Sequence, residues 1–309
     1  MAINKAMRAA LKALSYPEPD IRKTYKLERE LTNLTSIRLT RPNLYRVWDH
    51  KVPSGDHEIP IRIFSPSENL EETPAVLVFI HGGGWVTGNI DTYTGVCCDM
   101  AHLTRCVVAS VDYRLAPEHR FPQGLEDCYA AVREVFRECG QFHVREEDIV
   151  IIGDSAGGNL TAAVSLLAKQ RKEFTPRRQI LIYPALGNDH SESSPFPSVR
   201  ENGTGYLLTS KRVCEYLELY RSGPEDLQNP LYAPLLADDL TGQPKTLIIT
   251  AEYCPLRDEG EAYGVRLGEA GNEVEIHRME DGLHGYFSLP ARFELVKKTY
   301  DIINQFLEG

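Results

Sequence analysis

Asp148-Ile149-Val150-Ile151-Ile152-Gly153-Asp154-Ser155-Ala156-Gly157-Gly158-Asn159 is the stretch whose reading decides the fold. Apolar β-formers from Ile149 to Ile152 run into a glycine-flanked serine, and a helical pattern follows at once. Leu160, Val164, Leu167 and Ala168 recur at i, i+4, i+7 and i+8, so one helical face is expected to be buried. A strand that turns sharply into a helix around a serine, with glycine two residues to either side, is a nucleophile elbow. The apex holds the serine in a strained backbone, and a Cβ at either flanking glycine would strike the neighbouring strand or helix. The helix N-terminus beside it offers unpaired amides and the positive end of a dipole, which favour negative charge. Ser155 is therefore the candidate nucleophile; the plain alternative is an ordinary glycine-rich turn.

The chain has 309 residues, enough for one large α/β domain or a domain with a small lid. Its apolar content of 42% and charged content of 25% are those of a globular protein. No apolar run approaches the roughly 18 to 20 residues a membrane span needs. A net charge of −10 without a basic stripe argues against nucleic acid and against anionic membrane surfaces as partners. The N-terminus lacks an apolar signal core, so a cytoplasmic protein is expected. The seven cysteines include no C-x-x-C pairs at zinc spacing, which reads as free thiols in a reducing compartment with no structural metal.

Outward from the elbow, apolar strands alternate with helices. Two strands near 44–52 and 58–64, joined by Pro53-Ser54-Gly55-Asp56, suggest an antiparallel hairpin. Strand 75–80 precedes a helix near 91–104, and strand 106–111 precedes one at 124–139. Strand 179–183 follows the elbow helix. Strand 246–251, a helix at about 258–270, strand 274–279 and a C-terminal helix finish the chain. Eight largely apolar strands imply a mostly parallel sheet with helices on both faces, with ligands bound beyond the strands' carboxyl ends. Residues 1–40 carry two amphipathic stripes, Ile3, Met7, Leu11, Leu14 and then Leu27, Leu31, Leu34, each of which needs something to cover. The stretch 186–243 interrupts the alternation and contains a helix with Val213, Tyr216, Leu217 and Tyr220. The expected organisation is thus 1–43 as the N-terminal part of a helical cap, 44–185 as core, 186–243 as a cap insertion, and 244–309 as the rest of the core.

Strand 75–80 ends in His81-Gly82-Gly83-Gly84-Trp85. Acyl transfer needs backbone N–H groups aimed at a developing oxyanion, and glycines let backbone approach a substrate unobstructed. Gly83 and Gly84, with the Ala156 amide just after the nucleophile, are the candidate donors; Gly82 stays open as another. In elbow enzymes of this kind the chain order is serine, acid, histidine. Of the histidines after Ser155, His190 falls in the insertion and His277 inside the last strand. His284 lies in the glycine-flanked stretch Glu280-Asp281-Gly282-Leu283-His284-Gly285, just past that strand, and is the candidate base.

With His81-Gly82-Gly83-Gly84-Trp85, Asp112-Tyr113-Arg114-Leu115-Ala116-Pro117-Glu118, Gly153 to Asn159 and the Gly282 to Gly285 loop together, the chain resembles the hormone-sensitive-lipase family of α/β-hydrolases over nearly its whole length. The resemblance implies an α/β-hydrolase fold under a helical cap, and a carboxylesterase acting on short acyl esters without a cofactor. It implies a structural role for Asp127. Members of that family often pair through sheet edges, so a homodimer is an expectation carried by the resemblance alone.

One position departs from the family pattern. Where that family has Asp-Pro-Leu-x-Asp-Glu, this chain reads Cys254-Pro255-Leu256-Arg257-Asp258-Glu259, so the histidine-orienting acid is replaced by Cys254. A carboxylate holds the imidazole tautomer and balances the imidazolium, which a neutral thiol does poorly. Asp258 is a candidate substitute, although four helical residues displace it by about 6 Å. Glu252 is a weaker one. Cys254 as a thiolate beside a helix N-terminus, or oxidised to a sulfinate, is a third. The remaining reading is a weakened serine hydrolase. Two further functions stay open: an amide or formamide hydrolase, since the same hole serves amides, and a non-catalytic ligand receptor on the same fold.

Overall fold

Central strands so apolar cannot face water on either side, and their burial sets the architecture. The structure, a computed structural model, describes residues 18–36, 46–66 and 73–309. Strands β3 (Val76–Ile80), β4 (Val107–Val111) and β5 (Ile149–Asp154) are buried at every position. Together with β1 (Arg46–Ser54), β2 (His57–Ser65), β6 (Arg178–Ile182), β7 (Lys245–Tyr253) and β8 (Val274–Leu283) they form an 8-stranded sheet in the order β1-β2-β4-β3-β5-β6-β7-β8. The β1–β2 hairpin turns at Gly55, where φ is +60°, and β2 runs antiparallel to β4. All other pairings are parallel. The mostly parallel sheet is the one the strand pattern implies, and its order is that of the α/β-hydrolase fold the resemblance implies.

The layers over the sheet are held by contacts between helices as well as to strands. On one side α2 (Thr94–Thr104) meets the C-terminal α8 (Glu294–Glu308), where Asn304 donates to the Leu103 carbonyl at 3.1 Å. On the other, α3 (Gln123–Arg137) packs on the elbow helix α4 (Ala156–Arg171), with Arg171 bridging to Glu126 at 2.6 Å. Helix α7 (Arg257–Glu269) covers β7 and β8.

Parallel register carries the functional loops to one rim. Ile80 pairs with Gly153 and Asp154 with Ile182, so the loops after β3 and β5 leave the sheet side by side. Tyr253 of β7 pairs with Leu283 of β8, which brings Cys254 and His284 to neighbouring strand ends. Strand β8 runs to Leu283 rather than stopping near 279 as the apolar pattern suggested. An irregularity in the β7–β8 register near Ala251 and a left-handed Asp281 (φ +59°) carry the strand through the polar residues Glu280 and Asp281.

The stretch 186–243, expected to be a cap insertion, folds as a short helix α5 (Pro197–Glu201), a helix α6 (Ser210–Tyr220) and connecting turns. The N-terminal helix α1 (Ile21–Ser36) lies against α6, tied by Arg212 to Glu28 at 2.8 Å and by the Ile21 amide to Glu215 at 3.1 Å. This corrects the expectation about α1: Leu27, Leu31 and Leu34 are more than half exposed, while Ile21, Glu28 and Arg29 face the body of the molecule. The helix is held by ion pairs and backbone carbonyls instead of by its leucines. The first stripe, Ile3 to Leu14, lies outside the described residues.

Candidate active site

At the end of β5 the backbone of Ser155 takes φ +56° and ψ −118°, a conformation an L-residue keeps only when its surroundings fix it. They do so here. The Ser155 amide donates to the Ile182 carbonyl at 2.8 Å, and the Ser155 carbonyl accepts from Asn159 at 3.1 Å and Ala185 at 3.2 Å. A Cβ on Gly157 would strike the Ile80 carbonyl, and one on Gly153 would strike the carbonyl of Gly157. The motif's glycines are therefore needed where the elbow crosses β3 and its own helix.

The structure brings Ser155 and His284 together: Oγ lies 2.9 Å from Nε2. On the other side of the ring, Nδ1 lies 3.1 Å from Sγ of Cys254. Cys254 is fully buried, and its sulfur accepts from the Leu256 amide at 3.4 Å. Burial pushes the thiol far up its titration range, so it is neutral. This corrects the thiolate reading, because the helix start after it does not outweigh desolvation. The Asp258 carboxylate faces elsewhere, with one oxygen on the Ser198 amide at 2.7 Å and the other on Arg257 at 2.7 Å. The Glu252 side chain accepts from the Asp281 amide at 2.7 Å. Asp258 is thus corrected as a substitute acid: its helix directs it to the insertion, away from the imidazole.

Burial lowers the His284 imidazole from 6.5 to about 3, with no carboxylate beside it to oppose the shift. The thiol also leaves the tautomer undetermined. A carboxylate accepts only, so it forces the proton onto Nδ1 and leaves Nε2 free to take the serine's proton. A thiol accepts or donates. When S–H donates to Nδ1, the ring proton sits on Nε2, and that tautomer cannot act as base toward Ser155.

The glycine loop divides its amides. Gly82 N–H donates to Asp154 Oδ1 at 2.8 Å, which removes the donor that the sequence left open. The Gly83 carbonyl accepts from Val86 at 3.1 Å and Thr87 at 2.9 Å, closing a tight turn. A Cβ on Gly83 (φ +109°) would strike the Thr87 carbonyl, and one on Gly84 (φ +61°) would strike the ring of Tyr216. Gly83, Gly84 and Ala156 line one cavity of about 220 Å³ with Ser155 and His284, walled by Leu208, Val213 and Tyr216 from the insertion. Ala156 opens a helix, so its amide has no partner within that helix.

Several site residues were not foreseen. Asp154 is buried between the Gly82 amide, Tyr93 Oη at 3.3 Å and Tyr183 Oη at 3.4 Å, and burial pushes its carboxyl up to about 7. The Tyr183 ring also packs on the His284 ring, with centroids 4.7 Å apart. Asp154 stood inside the elbow motif but carried no signal beyond its position there. Trp85 stacks on Tyr220 of α6 at 4.6 Å, which anchors the glycine loop to the insertion. His190 is buried and paired with Glu259 at 2.7 Å, and His277 lies within β8. Asp127 is buried and holds Arg114 and His57 at 2.8 Å each. Among the described residues no cluster of three or more metal-ligating side chains occurs, and no helix is long and apolar enough to cross a membrane.

Comparison with known proteins agrees with this fold. A family described as alpha/beta hydrolase fold matches residues 77–288. An arylesterase of Saccharolobus solfataricus is 36% identical over 266 residues, covering 86% of this chain and 85% of that protein. Esterase LipI of Mycobacterium tuberculosis is 36% identical over 272 residues, covering 85% and 83%. Among solved structures, a hyperthermophilic esterase from Pyrobaculum calidifontis superposes with a TM-score of 0.88 at 34% identity, covering 100% of this chain and 98% of that one.

Proposed function

This chain belongs to the alpha/beta hydrolase fold family, hormone-sensitive-lipase-like branch, and on that premise we propose that it is a carboxylic ester hydrolase working through a Ser155 acyl-enzyme. Ser155 Oγ attacks the ester carbonyl as His284 Nε2 takes its proton. The oxyanion of the tetrahedral intermediate lies against the amides of Gly83, Gly84 and Ala156. Collapse breaks the bond to the alcohol, which leaves with the proton from His284. Water, deprotonated by the same imidazole, then releases the acid and restores the serine.

The observation that carries this reading is the 2.9 Å contact between Ser155 and His284 in the wall of the glycine-lined cavity. The small volume and the walls of Leu208, Val213 and Tyr216 support short acyl groups, with α1 and the 186–243 insertion serving as the cap. The neutral thiol at 254 leaves the imidazolium without its counter-charge, so turnover is slower than an acid-bearing enzyme of this kind would give. A fluorophosphonate probe together with an ester series from acetate to octanoate tests the proposal. Labelling of wild type but not of Ser155→Ala, with fastest turnover on the shorter esters, is expected. An unlabelled wild type that cleaves no ester faster than Ser155→Ala would overturn it.

A further inference from the structure

The segment Asp112 to Glu118 and the N-terminal helix have no part in the chemistry just described, yet they meet behind the oxyanion loop. Arg29 of α1 reaches across with its Nε donating to the Val86 carbonyl at 2.6 Å and one terminal nitrogen donating to the Ala116 carbonyl at 2.7 Å. Glu118 pairs with the same guanidinium at 2.9 Å, and the Tyr25 ring lies 4.9 Å beneath it.

These contacts bear on the direction of one amide. The Val86 carbonyl belongs to the peptide group whose N–H, on Thr87, donates to the Gly83 carbonyl at 2.9 Å. The neighbouring peptide, with the Trp85 carbonyl and the Val86 N–H, also donates to Gly83, at 3.1 Å, and its carbonyl accepts from the Ala116 amide at 2.9 Å. The Gly83 carbonyl also accepts from the Thr87 hydroxyl at 3.0 Å, and its two backbone donors belong to two different peptide groups. One is anchored at its far end by Arg29, the other by Ala116, which Arg29 also grips. A trans peptide is planar, so the N–H of Gly84 points opposite to the Gly83 carbonyl. Fixing that carbonyl in the turn fixes the Gly84 N–H toward the cavity. Gly83 and Gly84 both have positive φ and no Cβ, so rotation of the peptide between them is resisted by the hydrogen bonds onto the Gly83 carbonyl and not by side chains of its own.

We propose that Arg29 is a positioning residue for the oxyanion hole: seated by Ala116 and Glu118, it holds the Gly83–Gly84 peptide so that the Gly84 amide faces the substrate oxygen. The inference rests on the ester-hydrolase reading. It gives the N-terminal helix and the Ala116–Glu118 segment a definite part in the reaction without contact to substrate. Hydrogen bonds polarised in series through the two peptide groups add to the hold, since the guanidinium is charged.

The test uses the full chain as wild type, Arg29→Ala, Arg29→Lys and Glu118→Ala. Each is assayed for kcat and KM on a short p-nitrophenyl ester, and for inhibition by a trifluoromethyl ketone, whose serine adduct places an oxyanion in the hole. Arg29→Ala is expected to lower kcat by about tenfold or more with KM within about twofold, and to weaken the ketone by a like factor. Arg29→Lys recovers part of both, millimolar guanidinium restores part of the activity of Arg29→Ala, and Glu118→Ala shows a smaller loss in the same direction. Amide hydrogen exchange over residues 83–87 is expected to quicken in Arg29→Ala whatever the substrate. Unchanged kcat and ketone affinity in Arg29→Ala, or unchanged exchange in that loop, overturns the inference. A wild type that turns over no ester while exchange in the loop still depends on Arg29 counts against the ester reading and leaves the hold of Arg29 on the loop supported.

Discussion

Sγ of Cys254 and Nδ1 of His284 stand 3.1 Å apart at the ends of two paired strands, so a neutral thiol occupies the place from which the imidazole must be oriented. The strand register puts any side chain at 254 there, and Asp258 is engaged with Ser198 and Arg257.

Replacing the thiol by a carboxylate is therefore expected to speed the enzyme. Cys254→Asp should raise kcat on a short ester by at least about tenfold, since loss of the acid in a triad typically costs on the order of 10⁴. Steady-state kinetics with matched active-site titration checks this. An absent gain, or a fall, would make the cysteine itself the working group.

The pH profile follows from the same contact. His284 is lowered from 6.5 to about 3, and a general base works only when unprotonated. A depressed value moves the inactivating protonation to lower pH, so kcat/KM should stay level from about pH 5 to 8. In Cys254→Asp the carboxylate favours the imidazolium and raises its value, so an acid limb should reappear nearer neutrality. A wild-type profile already falling below pH 6.5 would contradict the reading.

Asp127 concerns stability. Its carboxylate is buried, accepting from the Arg114 amide at 2.9 Å and guanidinium at 2.8 Å, and it contacts His57 Nε2 at 2.8 Å. Removing it leaves the Arg114 amide and a partly exposed guanidinium without their partner, so Asp127→Ala should lower unfolding free energy by about 1 to 3 kcal/mol. Urea denaturation measures the loss. Fluorophosphonate labelling of the folded fraction should be retained, and a variant as stable as wild type would refute the structural role.

Asp154 gives a pH-dependent term of the opposite sense to most carboxylates. Burial raises it from 3.8 to about 7, against the pull of hydrogen bonds from Gly82, Tyr93 and Tyr183. In that window the folded state holds a proton that the unfolded chain has released. Its contribution is therefore whole below pH 3.8 and is lost as pH rises through about 7. Wild type should lose up to about 4 kcal/mol relative to Asp154→Asn over that range. Urea titrations of both at pH 5 and pH 8 compare them, and a constant gap would rule the shift out.

The elbow, the glycine loop and the parallel sheet were legible because each has a local signature: apolar runs for strands, glycines where a Cβ would strike a neighbour. His284 was legible from chain order and its place after the last strand. Nothing local revealed that Asp258 would turn toward Ser198, since that depends on how α7 meets α5. The leucine stripe of α1 misled for a related reason. Periodicity finds the apolar face of a helix, but here Arg212, Glu215 and the carbonyls of Val86 and Ala116 decided which face was bound. Arg29 gave no signal, because two of its partners are the backbone carbonyls of Val86 and Ala116 and its ion-pair partner Glu118 lies 89 residues away in sequence.

The pairing of Tyr253 with Leu283 fixes the final positions of both strands independently of what the next residue carries. Catalytic strength in this scaffold is then set by a module that can be exchanged without disturbing its mounting. A small library at the buried position 254, confined to residues near cysteine in size such as Asp, Asn and Ser, would sample a span of turnover rates on one fold, which makes this chain a ready host for measuring what the third member of a triad contributes.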